Sequence, residues 1–176
     1  MGTLRYLTIL LFTGLSVSNL SGQTTSEQIK AIRREFQAIN ADTTLRKITL
    51  ENEEFLGDNI SDGGGELKGF YKGKAIKKIH LWLGLSNGTE SKEFYFQDGQ
   101  LIFVYEKFKT FGYDEKKGQM DYDKTTTTFE GRYYFKNQKL ISQSTKGQNR
   151  HDDEAADPLV FLEQANENLN LLNKKI

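Results

Sequence analysis

Two aromatic-rich segments that meet at an Asp-Gly pair constrain the fold of this chain more than any other part of its sequence. The pair is Asp98-Gly99, and it divides residues 93–105 into two segments of strand-forming residues. An Asp-Gly pair between such segments is among the strongest local signals for a β-hairpin. Related units lie at residues 132–141 and, more faintly, at residues 70–76. The repetition predicts a meander of antiparallel strands, each paired with its neighbour in the chain.

The turn residues also predict which side chains oppose each other. The Asn-Gly pair at residues 87–88 forms an expected two-residue turn, which places Leu81 opposite Phe94. The Asp-Gly turn places Phe94 opposite Phe103. Both turns assign the same residues to the same sheet face, and a slip of one residue would invert every side chain. One predicted face is apolar and consists of Ile79, Leu81, Leu83, Phe94, Phe96, Leu101 and Phe103. The other is amphipathic and consists of His80, Trp82, Glu93, Tyr95, Ile102 and Val104.

The unit at residues 132–141 repeats this arrangement around its own turn. There we expect Phe135 to oppose Leu140, and Tyr134 to oppose Ile141. These pairs mirror those of the central hairpin. The units therefore share the predicted facing of their side chains as well as their composition.

Apolar residues at helical spacing predict one helix at each end of the domain. In residues 26–40 they recur every three or four positions, and Thr25 with Gln28 forms an expected capping box. In residues 158–174 a second stripe follows the only proline of the chain, at the first helical position. Alternation in residues 45–55 predicts the first strand. The expected stripes are Ile29, Ile32, Phe36 and Ile39 in the first helix and Leu159, Leu162, Ala165, Leu169 and Leu172 in the second.

These elements together predict an α+β fold. We expect a single antiparallel meander sheet of about six or seven strands, with the N-terminal and the C-terminal helix packed on one face. Both helices are assigned to the apolar face because that face has to be covered. Residues 114–123 are expected to form a loop between two strands.

The N-terminal residues predict a signal peptide rather than part of the folded domain. Arg5 precedes an apolar segment at residues 6–17, which is shorter than the about 20 residues that a membrane span needs. Small residues follow, so we expect residues 1–22 to be removed and residues 23–176 to form a single α+β domain. Cleavage after Ser18 and an uncleaved N-terminal anchor are the alternatives. After cleavage no stable membrane insertion is expected.

The lack of cysteine limits where the protein works and how it is held together. The chain has no Cys, which excludes disulfides, thiolate metal sites and lipid attachment through an N-terminal cysteine. Small secreted eukaryotic domains usually depend on disulfides, so we expect a periplasmic or secreted bacterial protein. The 24 basic residues balance the 24 acidic ones, which gives no electrostatic reason to expect nucleic acid as a partner.

No catalytic motif is recognisable, although a few polar groups deserve consideration. His80 lies on the amphipathic face near Glu93, but no residue is placed to complete a catalytic triad, which favours a packing role. His151 and the acidic residues 152–154 can in principle bind a divalent cation, but contiguous acids on a polar loop usually remain solvated. We therefore predict neither a metal site nor a cofactor. Carboxylates in residues 112–124 leave a glycosidase-like acid pair as an alternative.

Aromatic residues on the amphipathic face form the candidate binding surface. It comprises Trp82, Tyr95 and Tyr134, with His80 and Glu93 as polar groups on the same face. Flat aromatic rings on a rigid sheet suit a sugar ring or a protein partner. The alternative is that a helix or the other terminus buries this face.

The hairpins at residues 95–101 and 134–140 resemble the Tyr-Tyr-x-Asn-Gly-Lys-Leu hairpins of MORN-variant repeats. Residues 26–145 as a whole are similar to uncharacterised secreted bacterial proteins. Those proteins combine an N-terminal helix, a Gly-Gly-Glu-Leu strand entry, here residues 64–67, and an aromatic hairpin with a Gly-x-Leu-x-Phe-Val segment, here residues 99–104. This resemblance implies a location in the cell envelope, and it lends no catalytic residue to the chain.

We therefore expect a non-enzymatic binding protein, periplasmic or secreted, with a protein or carbohydrate partner in the cell envelope. One alternative is a hydrolase of envelope polymers that uses carboxylates in residues 112–124 or 151–154. A structural or inhibitor-like protein is the other.

Overall fold

The computed structural model describes residues 24–57, 61–148 and 157–175. Its seven strands form one antiparallel sheet in which each strand pairs with its neighbour in the chain. One helix precedes the sheet and another follows it, so the predicted antiparallel sheet with N-terminal and C-terminal helices is confirmed. The expected signal peptide and the segment around His151 lie outside the described residues. The elements are α1 (Thr25–Ala41), β1 (Arg46–Glu51), α2 (Asn52–Leu56), β2 (Gly65–Lys72), β3 (Ala75–Leu85), β4 (Gly88–Gln97), β5 (Gln100–Asp114), β6 (Gln119–Lys136), β7 (Lys139–Gly147) and α3 (Val160–Asn173).

Helix α1 is capped by Thr24 rather than by the predicted Thr25. The hydroxyl of Thr24 accepts a hydrogen bond from the Glu27 N–H at 3.4 Å, and the Glu27 carboxylate accepts one from the Thr24 N–H at 3.2 Å. A carboxylate makes a stronger hydrogen bond than the amide of Gln28, which favours this reciprocal pair. Ile32, on the predicted stripe, is buried.

The first strand is shorter than predicted, because α2 replaces its second half. Strand β1 ends at Glu51, and residues 52–56 form one helical turn. The Glu51 N–H donates a hydrogen bond to the Glu54 carboxylate at 3.0 Å, which stabilises the start of this short helix. Phe55, expected on the strand, instead packs from α2 against the core.

The three aromatic units form hairpins with a two-residue turn and the same irregularity. The predicted pairs beside two of the turns, Phe96 with Leu101 and Phe135 with Leu140, are confirmed. One position farther from each turn, one strand contains an extra residue, so the pairing shifts as in a β-bulge. The extra residues are Lys77 in β3, Ile102 in β5 and Ile141 in β7.

The bulges move side chains to faces that the turns alone do not predict. Phe103 pairs with Tyr95, and Val104 takes the place opposite Phe94. The prediction of Phe103 on the apolar face is therefore wrong, because the extra residue Ile102 reverses the alternation beyond it. The third hairpin shows the same shift, so its second predicted pair is wrong as well.

The turn between β3 and β4 consists of residues 86–87 instead of the predicted Asn-Gly pair. Leu85 pairs with Gly88, which therefore belongs to β4. A Cβ atom on Gly88 would lie 2.1 Å from the carbonyl oxygen of Lys109, so this glycine permits close approach of the strands. The register moves by two residues, and the side chains keep their predicted faces because their period is also two.

Helices α1 and α3 pack on opposite faces of the sheet, so the prediction that both cover one face is wrong. The face with Phe94 and Phe96 packs against α3, whereas the face with Tyr95 and Tyr134 packs against α1. The bulge adds Phe103 to the second face. This face is then too apolar to be left in water and needs a helix of its own.

The apolar stripe of α3 is rotated relative to the prediction. Phe161, Ala165 and Leu172 are buried, whereas Leu159 precedes the helix and is exposed. The Asp157 carboxylate accepts a hydrogen bond from the Leu159 N–H at 2.9 Å. This bond holds Leu159 in a turn before the first helical residue.

Strands β5 and β6 continue into a long hairpin where a loop was predicted. Strand β5 reaches Asp114 and β6 starts at Gln119, so only residues 115–118 form the turn. Tyr113 and Tyr122 are exposed near the tip. The predicted loop at residues 114–123 is therefore mostly strand.

Candidate functional site

The residues of the predicted surface lie in three adjacent rows of the sheet face that α1 partly covers. The row nearest the hairpin turns contains Tyr95 and Tyr134, which both pair with Phe103 of β5. The next row contains His80 and Glu93, which pair directly. Trp82 lies in the third row, two residues beyond His80. Helix α1 buries the first row, and the other three residues remain partly exposed.

Tyr95 and Tyr134 are core residues rather than surface residues. Tyr95 is 1% exposed and Tyr134 is 3% exposed. The ring of Phe36 in α1 lies 5.6 Å from that of Tyr95, and Arg33 Nε donates a hydrogen bond to the Tyr134 hydroxyl at 3.2 Å. The prediction that these two rings face a ligand does not hold, because α1 packs on them. Their role is to position the helix.

A polar network joins the C-terminal part of α1 to the second row. The Tyr95 hydroxyl donates a hydrogen bond to Glu93 Oε2 at 2.6 Å and accepts one from Asn40 Nδ2 at 2.9 Å. Lys78 Nζ donates to Glu93 Oε1 at 2.6 Å and to Asn40 Oδ1 at 3.0 Å. Both carboxylate oxygens of Glu93 are therefore engaged within the protein.

These contacts set the protonation states of the network. Burial raises the pKa of Glu93, but hydrogen bonds from Lys78 and Tyr95 outweigh it and leave that pKa below its usual value. Burial and the charge of Glu93 raise the pKa of Tyr95. Burial lowers the pKa of His80, against the opposing charge of Glu93. At neutral pH this region therefore holds a carboxylate, a phenol and a neutral imidazole.

His80 and Trp82 line an open cleft at the end of the sheet face that α1 does not reach. The cleft has a volume of about 560 Å³. Typical small-molecule sites have volumes of about 300–1,000 Å³. The sheet supplies one wall, and the end of β1 with the loop before β2 supplies the other. The lining residues are Glu51, Asn52, Gly63, Gly64, Gly65, Glu66, His80 and Trp82.

Glycines hold the loop wall of the cleft against β3. The Gly63 N–H donates a hydrogen bond to the Gly84 carbonyl at 2.9 Å, and the Gly84 N–H donates one to the Gly64 carbonyl at 2.8 Å. A Cβ atom on Gly84 would lie 2.6 Å from the Gly63 carbonyl oxygen. The two backbones approach this closely only because neither residue has a side chain. This contact fixes the loop two residues beyond Trp82.

Three polar residues of the cleft were missed by sequence reasoning. Glu51 and Glu66 pair directly across β1 and β2, and Lys68 forms an ion pair with Glu66. Asn52 Oδ1 is buried and has no hydrogen-bond partner within the described part of the chain. Like charges directly opposite each other destabilise a sheet, so the Glu51–Glu66 pair is unfavourable for the fold itself. The sequence does not reveal these cleft residues, because they come together only through the β1–β2 register and the short helix α2.

The opposite face of the sheet holds a second polar cluster that was not predicted. Glu106 is 7% exposed, and its Oε2 atom accepts a hydrogen bond from the Tyr133 hydroxyl at 3.3 Å. Lys92 Nζ lies 2.7 Å from Glu90 and 3.6 Å from Glu106. Burial raises the pKa of Glu106 against the charge of Lys92. These groups satisfy one another inside the protein, which makes the cluster structural.

The carboxylates of residues 112–124, one of the two sets expected to serve a hydrolase, lie near the tip of the β5–β6 hairpin, and the set at residues 151–154 lies outside the described residues. Asp114 lies 3.7 Å from Lys117, and Asp121 lies 2.9 Å from Lys124. The hydrogen bond from Lys124 lowers the pKa of Asp121. A general acid of a glycosidase needs a raised pKa instead. The other carboxylates of residues 112–124 are Glu115 and Asp123, near the same tip.

No group of three or more His, Cys, Asp or Glu side chains is arranged to hold a metal ion within residues 24–57, 61–148 and 157–175. In that same part of the chain, no helix is both long and apolar enough to cross a membrane.

A scan against protein-family models finds no match, and no curated protein or solved structure is significantly similar to the chain.

Proposed function

We propose that this chain is a non-enzymatic binding protein of the periplasm or the cell exterior, and that it holds a protein or carbohydrate of the cell envelope in the cleft beside Trp82. The observation that carries the proposal is the partial exposure of Trp82 and His80 at the cleft, whereas Tyr95 and Tyr134 on the same sheet face are buried. An aromatic ring with a polar tip in a concave, partly solvated site is typical of ligand-binding surfaces.

The position of Trp82 within the sheet supports binding by a rigid surface. Trp82 pairs with Glu66 on one side and with Ser91 on the other. A residue on a strand that is paired along both edges moves little, and a preorganised site loses less entropy when it binds. The neutral imidazole of His80 adds one donor and one acceptor at the same wall.

The sequence before the fold supports a location outside the cytoplasm. Arg5 and the apolar residues 6–17 have the pattern of a signal peptide. The lack of cysteine suits a periplasmic or secreted bacterial protein that is stabilised by its core alone.

Replacement of Trp82 by alanine separates a binding role from a packing role. If Trp82 serves binding, Trp82→Ala lowers the free energy of unfolding by clearly less than the about 3 kcal/mol lost when a core aromatic is deleted. The same variant then retains much less of the envelope partner that the wild-type protein captures. Unfolding in urea and capture from the envelope fraction of the source cell, with quantitative mass spectrometry, measure the two effects.

Tyr122→Ala is the matched control, because Tyr122 is an aromatic residue that is 66% exposed and distant in the fold from the cleft. It should leave capture unchanged and lower the stability by no more than about 1.5 kcal/mol, since its ring packs on that of Phe111 in the same hairpin. A loss of about 3 kcal/mol or more in Trp82→Ala, or unchanged capture, would contradict the proposal.

A further inference from the structure

We infer that the cleft beside Trp82 takes a positively charged organic group, an ammonium or a guanidinium, supplied by a small amine or by a side chain of a basic peptide. The inference rests on the proposed function, because it names the chemistry of the ligand for the same cleft. Three observations carry it: the other aromatic rings on the sheet face of Trp82, the carboxylates that line the cleft with it, and the balance of charge.

Aromatic rings on the sheet face that contains Trp82 are mostly covered by cations of the protein itself. Lys78 Nζ lies 5.1 Å from the ring centroid of Tyr95, and the Arg132 guanidinium lies 5.0 Å from that of Tyr105. Among the residues that the structure describes, no lysine or arginine lies over the ring of Trp82. Indole is the best cation–π acceptor of the side chains. The ring face of Trp82 is therefore free to bind a cation of a ligand, whereas Tyr95 and Tyr105 already bind cations of the protein.

Oxygen acceptors stand beside this indole. Glu66 pairs directly with Trp82, and Glu51 pairs with Glu66 on the next strand. Asn52 also lines the cleft, but its Oδ1 atom is buried, so the two carboxylates are the acceptors that a ligand can reach. A carboxylate only accepts hydrogen bonds, so these oxygens favour a ligand with several N–H donors. Ammonium and guanidinium groups supply three and five such donors respectively.

The charge of the lining favours a cation over a neutral or an anionic ligand. Glu51 and Glu66 contribute two carboxylates, and the ion pair with Lys68 compensates one of them. Burial lowers the pKa of His80, so the imidazole adds no positive charge at neutral pH. The lining therefore retains a net negative charge beside an aromatic ring, which attracts a cation and repels an anion.

The fluorescence of Trp82 tests the inference directly, because it is the only tryptophan of the chain. The purified protein is titrated with spermidine, with trilysine, with trilysine acetylated on every amine, and with chitotriose. We expect a saturable change with spermidine or trilysine, and at least about tenfold weaker binding of the acetylated peptide and of the sugar. The tighter of the two cationic probes identifies whether a free amine or a basic peptide is the better source.

Two glutamate variants assign the effect to the cleft. Glu51→Gln, on the accessible side of the cleft, should weaken the binding of the cationic probe by about fivefold. Glu53→Gln is the matched control, since Glu53 is an exposed residue of α2 that does not line the cleft. It should leave the affinity unchanged. Calorimetry with Trp82→Phe then shows weaker binding of the same probe without reliance on fluorescence.

Several results would overturn the inference. Equal or tighter binding of chitotriose or acetylated trilysine, with no effect of Glu51→Gln, shows that the cleft takes a neutral ligand; the proposed function then stands with a different ligand class. No response of Trp82 to either cationic probe at millimolar concentration also overturns it. The capture experiment with Trp82→Ala decides the proposed function separately.

Discussion

Phe103 of β5 pairs with Tyr95 of β4, which is one residue away from the register that the turn between these strands predicts. Their ring centroids lie 5.7 Å apart, and Phe36 of α1 stacks on Phe103 at 4.6 Å. The extra residue Ile102 causes this arrangement, because beyond it the side chains of β5 point to the other face. A single inserted residue thus decides that the aromatic face is closed by α1.

The hydroxyl of Tyr95 should contribute measurably to the attachment of α1. Tyr95→Phe removes the group that bonds both Glu93 and Asn40, and the buried partner groups lose a hydrogen bond. We expect a loss of about 1–2 kcal/mol in the free energy of unfolding, measured in urea. Tyr122→Phe, at an exposed position, should change it by no more than a few tenths. Equal stability of the two variants would show that the network contributes nothing.

His80 should make the stability fall as the solution becomes acidic. Burial lowers its pKa, so folding favours the neutral imidazole. The associated stability is present above the ordinary pKa of about 6.5 and is lost as the pH falls through the lowered value of the folded state. In His80→Gln the free energy of unfolding should change less between about pH 7.5 and pH 5. Identical slopes in wild type and variant would refute this.

Glu106 should have the opposite dependence. Burial raises its pKa, so its stabilising contribution is present below the ordinary value of 4.5 and is lost as the pH rises through the raised one. Glu106→Gln keeps an acceptor for Tyr133 and removes the buried charge. We expect the variant to be at least as stable as wild type at neutral pH and to lose less stability above pH 4.5. Glu53→Gln serves as the exposed control, and thermal unfolding across pH measures both.

Gly84 should control the geometry of the cleft. In Gly84→Ala the new Cβ atom would lie 2.6 Å from the Gly63 carbonyl oxygen, so the loop has to move away from β3. We expect a loss of about 1–3 kcal/mol in stability and a shift of Trp82 emission to longer wavelength. Ser91→Ala, directly opposite Trp82 in β4, adds no bulk and should leave the emission near that of wild type. An unshifted spectrum in Gly84→Ala would mean that the loop does not shape the cleft.

The hairpins could be predicted from the sequence only near their turns. Asp-Gly and related pairs specify the adjacent residues, and so Phe96 with Leu101 was correct. The bulges were not predictable, since the extra residues are two isoleucines and a lysine with no common signal. The position of α1 followed from one of those bulges, which adds Phe103 to the face with Tyr95. A pattern of apolar residues predicts that a helix exists but not which face it covers.

The candidate site was predictable only in part, because the apolar pattern of α1 does not show which sheet face the helix covers. Trp82 and His80 remain at an accessible cleft, whereas Tyr95 and Tyr134 are lost to the core once α1 packs on their face. Glu51, with its neighbours in the cleft, comes together only through a strand register and a short helix that no local pattern specified. Residues distant in the chain form such a site through tertiary contacts alone.

Because α1 and α3 rest on separate clusters of side chains, the two sides of the sheet can open independently. Release of α1 exposes the aromatic cluster around Tyr95 while the cluster around Phe94 keeps its cover. The amide protons of α1 should then exchange with deuterium faster than those of β3 and β4, which are paired on both edges. The chain would in that case behave as two cooperative folding units that share one sheet.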